Sequence, residues 1–245
     1  IEPIEIYPYV NEQALFRGRW GYRRGNMSAE DYDKLMRDTV LGIYEGLKKR
    51  GIEEGLIESK AAYGYFKCFS RGDSVFVKDG KKNYEFSFPR QEFEPHLCIA
   101  DFFKSEEDGG DIAGFFVVTI GEKIGQIAKE LFEKDAYHDY LMLHGFGVEV
   151  TDALAEYWHE VMRIELGIAE QRPESTAGFV TQQYQGSRYG FGYPACPDLG
   201  AHAFVFELLK PDKIGVTLTE NMEMVPEQTT SAIVAHHPQA KYFAV

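Results

Sequence analysis

The run Ile112-Ala-Gly-Phe-Phe-Val-Val-Thr-Ile120 is apolar at nearly every position and follows an acidic, Gly-rich segment from Ser105 to Asp111. A continuous apolar run of this length reads as a buried strand. The sequence around it comes in blocks. Before it, Ala61 to Phe69, Ser74 to Lys78 and Tyr84 to Phe88 read as strands. Asp79-Gly80 is a hairpin turn between the second and third, and Pro89 ends the third. Leu97 to Phe103 is short and apolar. After it come two long helical patterns. Gly121 to about His144 carries Ile124, Ile127, Leu131 and Phe132 on one face. Val148 to about Leu166 carries Val150, Leu154, Tyr157, Trp158, Val161 and Met162. A short helix near Ala203 to Leu209 precedes strands around Val216 to Leu218, Met222 to Val225, Ser231 to Val234 and Lys241 to Val245.

The first 26 residues, rich in Pro, Tyr and Gly, read as extended. Ser28 then reads as an N-cap, with Asp31 three residues on, for a helix carrying Leu35, Met36, Val40, Ile43, Tyr44 and Leu47 and stopped by Gly51. A second helical start runs from Ile52 to Ser59. Blocks of strands and helices, rather than strict alternation, favour α+β over a doubly wound sheet. The expected fold is a single α+β domain, with a mostly antiparallel twisted sheet, packed helices and no Rossmann unit. Residues 1–60 form its N-terminal segment and helices, one compact unit with 60–245.

Composition narrows the function classes. The 245 residues are 44% hydrophobic, enough for a real core. A net charge of −13 argues against a general nucleic-acid or anionic-membrane binder. No apolar run approaches the roughly 20 residues of a spanning helix. The N-terminus has neither basic start nor apolar segment, so it does not read as a signal peptide. Without an initiator Met, the chain is expected to be trimmed or cut from something longer. Cys68, Cys98 and Cys196 are far apart and odd in number, which suits a reducing cytoplasm and buried thiols.

Several motifs fail on inspection. His159-Glu160 would need a second His at 163 for a zinc helix, and that position is Arg. It reads as a polar helix face. His236-His237 has no nearby Cys or His partner, and there is no glycine-rich phosphate loop. The informative stretch is Arg188-Tyr-Gly-Phe-Gly-Tyr-Pro-Ala-Cys-Pro197. Gly190 and Gly192 permit close approach of a ligand, Pro194 and Pro197 stiffen the turn, and an Arg opening such a loop can hold a carboxylate through two parallel hydrogen bonds. A tight structural turn with one surface Arg remains the alternative.

Arg188…Gly192-Tyr-Pro-Ala-Cys-Pro197 closely resembles the RxxxGYPACP motif of the activation domain of cobalamin-dependent methionine synthase. Tyr184-Gln-Gly, Phe206 to Leu209, Leu218 to Glu220 and His237-Pro238…Lys241 to Val245 resemble the family's flanking segments. So do Ala100-Asp101-Phe, Gly114 to Thr119 and Ala155 to Glu160. The resemblance covers roughly residues 60–245 and is strongest toward the C-terminus.

The resemblance implies a domain that binds S-adenosylmethionine and presents it for reductive methylation of cobalamin held by another domain or subunit, with flavodoxin or another donor supplying the electron. It implies no catalytic side chain here. Arg188 matches the family Arg on the methionine carboxylate, and Asp101 the Asp near the ammonium group. Gly190 and Tyr193 lie in the motif, and Tyr242 and Phe243 match the aromatic pair beside the ligand. Asp152 and Glu156, one helical turn apart, take no assigned role. The chain by itself would not make methionine. The implied partners are the cobalamin-binding part of the synthase and an electron donor, with no nucleic acid and no membrane. A non-catalytic module docking on a corrinoid protein is the alternative from another class. Arg17, Arg19, Arg23 and Arg24, with Trp20 and Tyr22 between them, are more basic than the family and offer either a docking patch for an acidic reductant or internally paired charges.

Overall fold

The computed structural model describes all 245 residues. Its strands are β1 (Lys60–Arg71), β2 (Ser74–Asp79), β3 (Lys82–Ser87), β4 (Asp111–Thr119), β5 (Ser187–Gly190), β6 (Thr217–Leu218), β7 (Met224–Val225) and β8 (Thr229–Ala235). Six form one sheet in the order β3-β2-β1-β4-β8-β5, and β6 pairs with β7 apart from it. β1 with β2, β2 with β3, and β5 with β8 are antiparallel. The helices are α1 (Pro3–Ile6), α2 (Ala29–Leu35), α3 (Leu41–Glu53), α4 (Lys123–Glu133), α5 (Tyr137–Glu165), α6 (Thr176–Val180) and α7 (His202–Leu209). The architecture is the expected α+β.

The continuous apolar run is β4, an interior strand whose last seven residues are buried. Strand β3, at one edge, alternates exposed and buried instead, with Tyr84 and Phe86 inward. The Asp79-Gly80 turn stands as expected, with Asp79 opposite Lys82.

The chain falls into two compact units. The first comprises residues 1–60, 119–154 and 226–229, the second 61–118, 155–225 and 230–245. The first has an aromatic core in which Tyr44 meets Phe16 and Phe146 edge-on and Trp20 donates from Nε1 to the Met142 carbonyl at 3.0 Å. In the second, Phe86, Phe115, Tyr189, Phe191 and Ile233 are buried in one cluster that includes Cys68, Cys98 and Cys196. Each such large apolar side chain contributes roughly 1.5–3 kcal/mol by leaving water. The cysteines are the buried, free thiols the sequence suggested.

Several expectations need correction. Residues 1–26 are not extended: α1, a 3-10 turn (Tyr7–Tyr9) and a π-helical turn (Ala14–Arg19) lie there, their aromatic residues drawn into the first core. Ser28 does cap α2, accepting from the Asp31 N–H at 3.0 Å. Gly51 does not stop the next helix. It stays inside α3, where Tyr7 packs so close that a β-carbon would collide with its ring hydroxyl. No helix forms over 54–59, and Lys241 to Val245 is not a strand. The break between the long helices falls at Asp135, which takes a left-handed conformation (φ 57°) that Asp tolerates, and not near His144. The four arginines of the basic cluster are exposed, and their side-chain contacts within the chain differ. Arg19 pairs with Glu149 at 2.9 Å, Arg23 and Arg24 donate to the carbonyls of Arg17 and Met27, and Trp20 is buried.

Candidate functional site

Strand β5 forms an edge of the main sheet and carries Arg188, so Arg188 sits on a strand and not in the loop that its sequence suggested. Alternation along the strand decides which way each residue faces. Ser187 and Tyr189 are buried, while Arg188 and Gly190 share the other face, half-buried. On that face Arg188 donates from Nη1 to Oε2 of Glu156 on α5. The Tyr184 hydroxyl donates to the same oxygen at 3.3 Å. A carboxylate that the sequence left without a role is therefore the internal partner of the expected ligand-binding arginine.

Glu156 belongs to a row. Glu156, His159, Glu160 and Arg163 lie at helical spacings of three, four and seven, and all four are buried. The face that reads as polar at His159-Glu160 is thus inside the protein. Arg163 stacks its guanidinium on the Tyr184 ring, 3.8 Å from the centroid, and His159 meets the same ring edge-on at 5.5 Å. Glu160 accepts from Arg172 at 2.5 Å. Burial, and then the charges of Arg188 and Arg163, push the His159 pKa well below its ordinary value, so the ring is neutral. Burial also raises the Tyr184 phenol. A signal was present in the sequence: charged residues at 156, 160 and 163 interleave with the apolar positions of a long helix, which leaves no wide face to solvent.

The other expected residues converge by way of their neighbours. Phe102, Tyr189 and Phe243 follow Asp101, Arg188 and Tyr242 in the chain. The rings of Phe102 and Tyr189 stack at 6.1 Å, and Phe243 packs on both at 6.2 and 5.8 Å. One aromatic cluster therefore holds three separate segments together. Tyr189 donates from its hydroxyl to the Lys241 carbonyl at 3.0 Å, and the Tyr242 N–H donates to Gln182 Oε1 at 2.7 Å, which ties down the C-terminal segment. Phe243 is buried in this packing, whereas the Tyr242 and Tyr193 side chains are half exposed. Gly190 gives room to Tyr193: a β-carbon there would lie 2.8 Å from Tyr193 Cδ2.

Asp101 is held firmly. Its Oδ2 accepts from Arg90 Nη1 at 2.8 Å and from the Cys98 N–H at 2.9 Å, and its Oδ1 accepts from Arg90 Nη2 at 2.8 Å. A carboxylate has about four acceptor positions, so roughly one remains, on Oδ1. Burial raises its pKa, but the Arg90 hydrogen bonds, the Cys98 N–H and the Arg90 charge overcome that and hold the carboxyl below its ordinary value. It stays ionised.

A separate cleft of about 460 Å³ in the first unit is lined by Phe132, Tyr140, His144 and Lys129 among others, and by none of the six expected residues. The charged row, and not this cleft, marks the candidate site.

Residues 25–245 match the family model described as the vitamin B12 dependent methionine synthase, activation domain. The chain is 41% identical to the methionine synthase of Mycobacterium tuberculosis, over 96% of its own length and 21% of that protein's. It is 39% identical to that of Mycobacterium leprae, over 97% and 21%. It thus spans about a fifth of the length of these relatives. Among solved structures it superposes on the MetH reactivation domain bound to AdoHcy with a TM-score of 0.83 and 25% identity, covering all of this chain and 79% of that one. A strand-borne Arg188 opening the GYPACP block, on a fold shared with that reactivation domain and within a family match that covers nearly the whole chain, leaves one assignment: the chain belongs to the family of vitamin B12 dependent methionine synthase activation domains.

Proposed function

We propose that this chain binds S-adenosylmethionine and presents it for reductive methylation of cobalamin, reactivating a methionine synthase. When bound, S-adenosylmethionine supplies a sulfonium methyl group to cobalamin held by another domain or subunit, with the electron coming from flavodoxin or another donor. The work of this chain's own residues is binding and orientation. Arg188 pairs with the amino-acid carboxylate. Asp101, ionised and with one acceptor position left, takes a hydrogen bond from the ammonium group. Tyr242 and Tyr193 contribute half-exposed aromatic side chains, Gly190 makes room for the Tyr193 ring, and Phe243 acts by packing. The binding residues lie within 60–245, with 1–60 as the accompanying segment. The reading places the chain in the cytoplasm and needs neither nucleic acid nor membrane; no helix is long and apolar enough to cross one.

The observation that carries this reading is Arg188 on its edge strand, half-buried and held by Glu156 beside Tyr184. The neighbouring fold is described with AdoHcy bound, which supports the same ligand chemistry here. Calorimetric titration with S-adenosylmethionine and AdoHcy tests it. Arg188→Ala is expected to weaken binding by about 2 kcal/mol or more, the scale for losing a charge-assisted pair in a partly buried site. Circular dichroism checks that the variant is folded. The internal Glu156 pairing favours a second, purely structural role for Arg188, and unchanged affinity in the folded variant would establish that role instead.

A further inference from the structure

Two buried groups in the charged row are unsatisfied in complementary ways. Arg163 is fully buried, and its Nε, Nη1 and Nη2 have no hydrogen-bond partner. Glu156 Oε1 is buried and also has none. Leaving buried charged groups unpaired is among the costlier arrangements a protein can hold. The donors and the acceptor carry opposite charges and sit seven residues apart on one face of α5. Helix side chains lean toward the N-terminus, so Arg163 leans toward Glu156. Tyr184 touches both, with its ring under the Arg163 guanidinium and its hydroxyl on Glu156.

His159, between Glu156 and Arg163 on this face, is neutral. Arg163 is therefore a buried cation with three unused donor nitrogens on the same helix face as a carboxylate with an unused oxygen. A ligand carboxylate arriving at Arg188 would compete with Glu156 for it. If that carboxylate came to Arg188 with Arg163 absent, it would meet Glu156 as a like charge in a poorly solvated place, and repulsion would oppose binding.

We infer that Arg163 is a positioning residue that determines specificity for a ligand carboxylate: its unpartnered guanidinium takes up Glu156 when a ligand carboxylate engages Arg188. This rests on the reading of Arg188 given above. The carboxylate exchange moves Glu156 from one guanidinium toward the other, so that the ligand carboxylate faces Arg188 and Glu156 faces Arg163. Discrimination follows, because a ligand with the same adenosyl and thioether parts but no carboxylate gains nothing from Arg163.

The experiment titrates the whole chain with AdoHcy and with 5′-methylthioadenosine, which lacks the amino-acid end. Arg163→Met is expected to weaken AdoHcy about tenfold or more, the effect of roughly one charged hydrogen bond, and methylthioadenosine less than about twofold. Arg163→Lys should restore part of the difference. If Arg163→Met does not fold, Arg163→Gln, which keeps amide donors and loses the charge, carries the same comparison. Equal losses for the two ligands, or no loss for either, would overturn the inference, since a merely structural residue does not change the ratio. If the unaltered chain binds neither ligand, the reading of Arg188 as a ligand clamp fails first and this inference with it. If the unaltered chain binds AdoHcy and the ratio stays constant in the variants, only the inference fails.

Discussion

Two arginine–carboxylate pairs, one in each unit, have opposite electrostatic outcomes. In the second unit Arg90 grips Asp101 through two parallel hydrogen bonds, a backbone N–H adds a third, and the carboxyl is held below its ordinary value. In the first unit Arg19 reaches Glu149 through one hydrogen bond at 2.9 Å. Burial pushes the Glu149 carboxyl up and Asp152 adds to the rise, against the lowering by Arg19. The difference lies in solvent and geometry. The Asp101 side chain is 38% exposed, that of Glu149 only 5%. A fork and a backbone donor outweigh modest desolvation; a single bond does not outweigh nearly complete burial. A short arginine–carboxylate distance is therefore not in itself a stabilising feature.

The largest expected effect comes from removing the cation of the deeper pair. Arg19→Ala leaves Glu149 buried with its hydrogen-bonding arginine gone. Unfolding in urea should show a loss of about 2 kcal/mol, below the usual range for breaking a buried pair because Arg19 is itself 44% exposed and the carboxyl can take up a proton. Arg19→Ala with Glu149→Gln should recover most of the loss. An equal loss in the double variant would mean that Arg19 acts by packing.

Much of the architecture was legible in the sequence because it rests on periodicity. The apolar run of β4, the Asp79-Gly80 hairpin and the Ser28 cap are local signals, and each is found where it was read. Gly51 misled because a glycine inside a helix looks like a stop. The structure keeps it helical, with the Tyr7 side chain against it. At the site, Arg188 was legible through its motif, but its partner was not. Glu156 lies 32 residues away on another element, and no spacing rule connects a strand residue to a helix residue. The aromatic cluster behind Asp101, Arg188 and Tyr242 has the same character, since Phe102, Tyr189 and Phe243 meet only after folding.

The shallower pair should matter less to stability. Asp101→Asn keeps the shape but removes one partner of a forked pair and a charged acceptor of the Cys98 N–H. Both side chains are more than a third exposed, so solvent screens the pair, and the expected loss in urea unfolding is about 1 kcal/mol. A loss beyond that of Arg19→Ala would reverse the ranking of the two pairs.

The smallest effect, and the one that separates the pairs most directly, is their pH dependence. Asp101 binds its proton less readily in the folded chain than its ordinary value of 3.8 implies. Its contribution is fully present above that value and is lost as pH falls through the lower folded pKa. Glu149 is the reverse. Its folded pKa lies above the ordinary 4.5, so the folded chain holds the proton longer than the unfolded chain does. As pH rises from 4.5 through the folded value, ionisation in a buried site reduces stability. Measured by urea unfolding across mildly acidic pH, Asp101→Asn should flatten the acid limb below about pH 4, where fewer protons are now taken up on unfolding. Glu149→Gln should leave that limb alone and remove the decline above pH 4.5, so that its stability relative to the unaltered chain improves toward neutrality. Parallel curves for the two variants would mean that the carboxylates do not differ in the way their surroundings require, and the contrast between forked and single-bonded pairs would have to be abandoned.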